Sequence, residues 1–264
     1  MPFKGCRPYY RVVKLFVYMS VDLATAEIWT IVLIYSKIIS KNEKVKTVEI
    51  NWGYFLMAER LADRALRVRT TGIREWHRGE VHYNRYEATP YVALDKLFET
   101  YSLDKTDELV DFGCGRGRII FYIHNKFEIP VTGIEANDKT YEEALRNKNA
   151  YLHRARHIKA PIRVLYGPAE GYKIKPTENR FYFFNPFSIK IFRKVINNIL
   201  ASVKEHPRSV DLLIYYPTAV YKQFLWKDTP FEIINKVKTP GMVDKKEKFL
   251  VYRLRQQDIP YEAE

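Results

Sequence analysis

The chain has 264 residues, with 44 Lys+Arg against 31 Asp+Glu for a formal net charge of +13, and is 47% hydrophobic and 28% charged. That balance excludes a disordered or collagen-like protein, and 20 Tyr with 15 Phe supply the bulk for a packed core. Two cysteines, Cys6 and Cys114, point to neither a disulfide framework nor a zinc site, which fits a reducing, cytoplasmic setting, and the basic surplus favours acidic partners.

Residues 1–58 read as an extension distinct from the rest, with apolar runs at 12–21 and 28–39. The uncharged stretch 28–36 falls short of the roughly 20 residues that span a bilayer, and Asp22 and Glu27 interrupt anything longer, so stable membrane insertion is not expected. Lys4, Arg7, Arg11 and Lys14 before an apolar run loosely imitate a secretory signal, again broken by Asp22; a native start downstream, at Met19 or Met57, is the plainer alternative. A helical pattern begins at Trp52, a polar stretch covers 70–89, and Pro90 opens a short helix over 91–101 behind Thr89 as a cap.

From Asp107 onward strands and helices alternate. Strands are predicted at 108–112, 131–135, 162–166, 180–184 and 210–216, with helices at 116–126, 138–157, 188–205 and 218–226. Two final strands, 231–237 and 248–254, flank a loop with Pro240-Gly241. Such alternation argues for a parallel sheet with helices on both faces. The chain thus divides into an extension (1–58), a helical lead-in (59–106) and an α/β domain (107–264).

The chemistry starts at Leu109-Val110-Asp111-Phe112-Gly113-Cys114-Gly115-Arg116-Gly117, where a buried strand runs through alternate glycines into a helix. Glycines allow the tight turn and a close ligand approach, and the helix N-terminus adds free N–H groups. Roughly twenty residues on, the next strand ends in Glu135, a carboxylate placed to accept ribose hydroxyls. A dinucleotide site uses a different glycine spacing, and Asp111 beside the loop would repel a pyrophosphate while suiting a cationic ligand. The set Asp111, Gly113, Gly115, Gly117 and Glu135 resembles the first motif of the class I S-adenosylmethionine-dependent methyltransferases. The resemblance covers about 86–254. It implies a Rossmann-like sheet of seven strands, mostly parallel with the last antiparallel, and S-adenosyl-L-methionine as cofactor, with Cys114 in the cofactor loop.

Under that resemblance the fourth strand delivers Asn185-Pro186-Phe187, similar to the Asn/Asp-Pro-Pro-Tyr/Phe turn of amino-group methyltransferases. There the Asn side-chain oxygen and a proline carbonyl accept hydrogen bonds from the target amine, and the ring stacks on the substrate. This chain has one proline, and a plain strand-to-helix turn capped by Ser188 is the alternative. Phe-Phe-Asn-Pro-Phe with Tyr86–Tyr91 upstream looks like a bacterial methyltransferase-like group, making Glu87, Thr89 and Tyr91 candidate cofactor contacts, with core packing the alternative for Tyr91. Non-SET histone lysine methyltransferases carry a similar turn. Ala169, within Gly167-Pro168-Ala169-Glu170, is placed to meet the adenine through its N–H, and Glu170 is a possible stand-in for the adenine-binding acid. Tyr215, Tyr216 and Pro217 line a substrate pocket or a core.

Residues 145–163 carry Arg146, Lys148, Arg154, Arg156, Lys159 and Arg163 without an acid, either a phosphate-contacting stripe or a solvated helix face. A second basic cluster runs from Arg60 to Arg78, tempered by Glu59, Asp63 and Glu75. His153 and His157 have metal-ligand spacing but no third ligand, so no metal is expected. The expected activity is methyl transfer to an amino nitrogen of nucleic acid or protein. A small-molecule acceptor, a non-catalytic S-adenosylmethionine-binding protein and a dehydrogenase are the alternatives.

Overall fold

A computed structural model describes residues 52–75, 82–242 and 244–258. The readings placed on 1–51, including both apolar runs, the signal-like start and Cys6, lie outside those residues, as does Arg78. The described chain opens with α1 (Trp52–Ala65), a short antiparallel pair of β1 (Ile73–Arg74) with β2 (Tyr86–Glu87), and α2 (Tyr91–Leu97). The alternating part follows as β3 (Leu109–Phe112), α3 (Arg118–Phe127), β4 (Val131–Glu135), α4 (Asp138–Arg154), β5 (Ile162–Tyr166), β6 (Arg180–Phe184), α5 (Ile189–Glu205), β7 (Val210–Tyr215) and α6 (Ala219–Asp228). The hairpin β8 (Glu232–Lys238) and β9 (Lys248–Leu254) closes it.

The main sheet has seven strands in the order β5-β4-β3-β6-β7-β9-β8. β3 to β7 pair in parallel, and β9 inserts antiparallel between β7 and β8. Parallel pairing requires crossovers, and the helices supply them. β3, β4 and β7 are buried at every position, so they read as continuous apolar runs rather than alternating ones. Successive residues still serve opposite faces. Leu109, Val131 and Leu213 pack with α2, α3 and α4; Val110, Phe181, Leu212 and Leu250 pack with α5 and α6.

The predicted strands at 131–135, 162–166, 180–184 and 248–254 match residue for residue, and the antiparallel last strand is as expected. Helix ends differ. Thr89 does not cap α2: Pro90 holds that position without a side-chain bond, because the Thr89 hydroxyl is spent on the Tyr182 hydroxyl at 2.5 Å. Ser188 takes the cap position of α5 but makes no side-chain cap bond. Its hydroxyl lies 3.1 Å from His82 Nδ1 instead. Among the described residues no helix is long and apolar enough to cross a membrane, and no group of three or more metal-ligating side chains forms.

Candidate active site

β3 stands third of the seven strands, next to β6, where the chain order reverses, and the loops after β3 and β6 open on the same side. That switch point is where open α/β sheets bind ligands. The Gly113 and Cys114 amides both donate to the Ile134 carbonyl, at 2.9 and 3.0 Å, pinning the loop to β4. Gly113 and Gly115 have φ of +79° and +56°. A Cβ at Gly115 would stand 2.1 Å from the Tyr86 ring, and one at Gly113 would stand 2.5 Å from Pro186 Cβ. Both positions therefore need glycine for space as well as for backbone angle. Cys114 turns its sulfur under the loop towards Gly133 and is 5% exposed.

The loop encloses two carboxylates. Asp111 and Glu135 are 2% and 6% exposed. Burial pushes Asp111 well above the ordinary carboxylate range, and the Glu135 charge pushes it further. Burial also raises Glu135, opposed by backbone N–H donors. Its Oε2 accepts from the Gly115 amide and its Oε1 from the Asn137 amide, each at 2.8 Å. No arginine or lysine contributes to holding either group ionised. Two buried carboxylates with no cation of their own form a site for a cationic ligand.

The turn after β6 has an unusual backbone. Asn185 stands at φ +39°, and Tyr216, at the end of neighbouring β7, at φ +53°. Non-glycine residues in this region store strain and gather at functional sites. The Asn185 side-chain amide is half-buried and makes no hydrogen bond among the described residues. The backbone carbonyls are engaged by a strap at 82–87. Asn84 donates its amide N–H to the Pro186 carbonyl at 3.0 Å and its Nδ2 to the Asn185 carbonyl at 2.7 Å. Tyr83 forms a β-bridge with Phe187, and the Ser188 amide donates to the His82 carbonyl at 2.7 Å.

A cleft between strap, glycine loop and turn brings together Gly113, Glu135, Ala169, Glu87, Pro186 and Phe187. Tyr86 and Phe184, both within the motifs quoted above, also line it, as do Arg74 and Asn137, which had no sequence signal. Asp111, Cys114, Gly115, Gly117, Thr89 and Asn185 do not line the cleft. Phe187 is 1% exposed, edge-on to Phe183, with its carbonyl accepting from the Tyr221 hydroxyl. The half-buried rings beside the turn are Phe184 and Tyr216, 6.3 Å apart. Tyr91 is core: its hydroxyl donates to Asp63 at 2.8 Å. Glu170 does not line the cleft either, and its backbone carbonyl accepts from Asn198.

Behind the glycine loop lies a network that the motifs do not announce. Arg118, the first residue of α3, is 3% exposed. It pairs with Glu59 and Asp63 of α1, donates to the Thr89 carbonyl at 3.0 Å and Thr70 Oγ1 at 2.6 Å, and lies 4.2 Å over the Tyr91 ring. Burial works against its charge, but Glu59, Tyr91 and Asp63 outweigh it and raise its pKa. Glu59 and Asp63, read in the sequence as tempering a basic cluster, are instead a buried carboxylate pair for one arginine. An arginine opening the apolar run Ile119-Ile120-Phe121 was the available signal.

The basic stripe at 145–163 lies elsewhere. α4 leaves the carboxyl end of β4 and runs back to the amino end of β5, so Arg154, Arg156 and Lys159 sit at the sheet edge opposite the cleft. Arg146 pairs with Glu142 at 3.7 Å, and Arg156 donates to His153 Nδ1 at 2.9 Å.

A mostly parallel seven-stranded sheet with antiparallel β9 inserted between β7 and β8, and a glycine loop at the end of β3, decides the architecture. The fold is the Rossmann-like, mostly parallel seven-stranded α/β sheet that the sequence resemblance implies. No family model matches the chain. A curated protein-lysine N-methyltransferase of Saccharolobus islandicus (strain REY15A) is 35% identical over 77 residues, 28% of this chain. The chain spans about half the length of that relative, 48%. Among solved structures, a methyltransferase of Pyrococcus furiosus is similar at TM-score 0.49 and 16% identity, covering 77% of this chain and 98% of that one. A tRNA (uracil-54, C5)-methyltransferase of Pyrococcus abyssi with S-adenosyl-L-homocysteine is similar at TM-score 0.43 and 15% identity, covering 64% and 39%. Neither likeness bears on what this chain acts on.

Proposed function

We propose that the chain is an S-adenosyl-L-methionine-dependent methyltransferase, working in the cytoplasm, that methylates an amino nitrogen of nucleic acid or protein. The observation that carries this reading is the pair of buried carboxylates, Asp111 and Glu135, set against the glycine loop without a cation of their own. The residues fit the cofactor: its ammonium and sulfonium offset buried negative charge, and Glu135 suits the ribose hydroxyls. Gly113, Ala169 and Glu87 complete the binding region, with Cys114, Gly115 and Gly117 shaping the loop beside it, while Thr89 is buried behind it. In this reading 107–264 is the catalytic domain, 59–106 its lead-in and 1–58 an extension.

When bound, S-adenosylmethionine supplies a methyl group on a positively charged sulfur. The chain's part is positioning and exclusion of water rather than strong acid or base chemistry. Asn185 Oδ1 accepts a hydrogen bond from the neutral amine and aims its lone pair. Phe184 and Tyr216 flank the approach. The activity of the curated relative, protein-lysine N-methylation, supports an amine acceptor. A second reading, a cofactor-binding protein without turnover, is favoured by the Pro186 carbonyl, which already accepts from Asn84.

Radiolabelled S-adenosylmethionine, purified protein and a cell extract separate the two. Asn185→Ala should cut transfer by about 10²-fold or more while leaving cofactor affinity, measured by calorimetry, within about twofold. Cofactor binding with no labelled acceptor in any extract fraction would establish the second reading, and absent binding would defeat both.

A further inference from the structure

The cofactor that the site fits has two cationic groups, its ammonium and its sulfonium, and one anionic group, the carboxylate of its methionyl end. Asp111 and Glu135 suit the cationic groups and the ribose, and they leave the carboxylate without a partner. A carboxylate that enters a cleft and gives up water needs a cation or N–H donors in return. Among the described residues two arginines line the cleft, Arg74 and Arg85, and no lysine does. Arg85 is engaged: it stands 3.1 Å from Glu87 and 3.8 Å from Glu75, so two carboxylates face one guanidinium.

Arg74 has the opposite balance. It ends β1 directly opposite Tyr86, the residue whose ring fills the space over Gly115. Its Nη2 donates to Glu143 Oε1 of α4, and the other oxygen of that carboxylate accepts from Arg116 Nε at 2.7 Å. One carboxylate thus serves two guanidiniums. Arg116 has further contacts: its Nη1 donates to the Thr71 carbonyl at 2.8 Å, and its guanidinium lies 5.0 Å over the Tyr86 ring. Arg74 Nε is a buried donor with no hydrogen-bond partner among the described residues. A tie between β1 and α4 accounts for the Nη2 bond. It does not account for a buried N–H on a charged group left without an acceptor, which costs stability unless a ligand supplies one.

We propose that Arg74 is the anchor of the cofactor's methionyl carboxylate, its Nε donating to that group while Glu143 holds the guanidinium in place. This rests on the methyltransferase reading and adds to it the residue that recognises the end of the cofactor taking no part in the transfer. In the cofactor the carboxylate and the ribose lie on either side of the sulfur. Holding the first by Arg74 and the second by Glu135 fixes the sulfonium between two attachments, which is positioning rather than acid or base chemistry. A further consequence is selectivity. Decarboxylated S-adenosylmethionine keeps the adenosine, the sulfonium and the amine, and it leaves Arg74 unpaired.

Calorimetry on the full chain measures the affinities of both forms for wild type, R74Q, R74K and K139Q. Lys139 is an exposed lysine at the start of α4 and controls for a general loss of positive charge. Wild type should prefer the intact cofactor by about tenfold or more, the worth of a hydrogen bond between charged groups. R74Q should weaken the intact cofactor by about tenfold, leave the decarboxylated form within about twofold, and so bring the ratio to about one or below. R74K, which keeps the charge, should retain part of the preference, and K139Q all of it. The ratio is taken within each variant, so a general loss of folded protein affects both ligands alike. R74Q with the wild-type ratio overturns the proposal, and so does wild type that binds both forms equally; in both cases cofactor binding, and the functional reading with it, stands. Wild type that binds neither form defeats that reading and the proposal together.

Discussion

At the scale of single residues, the Asp111 carboxylate is both the clearest ligand signal and a burden on the fold. A carboxyl whose pKa is raised by folding binds more protons folded than unfolded, so stability falls as pH climbs from the ordinary carboxylate range through the raised value. The penalty is complete only above that raised value, where the folded group is ionised. Asp111→Asn should therefore raise the melting temperature of the ligand-free protein at pH 8, by roughly 2–4 °C for each kcal/mol recovered. It should also weaken S-adenosylmethionine binding by about tenfold or more. A variant that melts lower at pH 8 would show that Asp111 is structural. Asn185 makes a second case. Its φ of +39° means that Ala there adds backbone strain of about 1–2 kcal/mol, whereas Gly does not. Asn185→Gly should melt at or above wild type and Asn185→Ala below it, with transfer lost in both. Equal loss of activity at unequal stability would assign the defect to the missing amide.

At the scale of elements, two joints hold the cleft. The first sets the strap on the glycine loop, with the Tyr86 ring where a Gly115 side chain would be. Gly115→Ala should cost about 1–3 kcal/mol, and Tyr86→Ala in the same chain should recover part of it. Additive losses would mean that Tyr86 is not what Gly115 accommodates. The second joint ties α1 to α3 through Arg118. Arg118→Met leaves Glu59 and Asp63 buried without their cation and should cost about 3–5 kcal/mol in denaturant titration. How much was legible in sequence follows the same division. β3 and β4 are continuous apolar runs, and the glycine loop with Glu135 is local, so both were readable. The partners of Arg118 lie 59 and 55 residues away and those of Asn84 about a hundred, and no local period encodes such contacts.

At the scale of the whole molecule, topology decides which basic residues can matter to the reaction. In sequence, 145–163 is the densest acid-free basic stretch, but the return path of α4 carries its end away from the cleft. The lysines of β8 and β9 look unremarkable in a linear reading, yet the hairpin sets Lys238 directly opposite Lys248, with Lys236 on the same side. Sequence spacing reports neighbours along an element, and only strand order reports which edge an element's end reaches. The strap has a further consequence for engineering. Residues 82–84 and 185–188 exchange hydrogen bonds and a β-bridge across the cleft, so the turn is half of a two-part piece. Transplanting 185–188 alone into another sheet of this type would leave Asn84's donors behind and the graft's carbonyls bare. A portable module is the pair of segments together, and relatives that exchange one segment should be found to have exchanged the other.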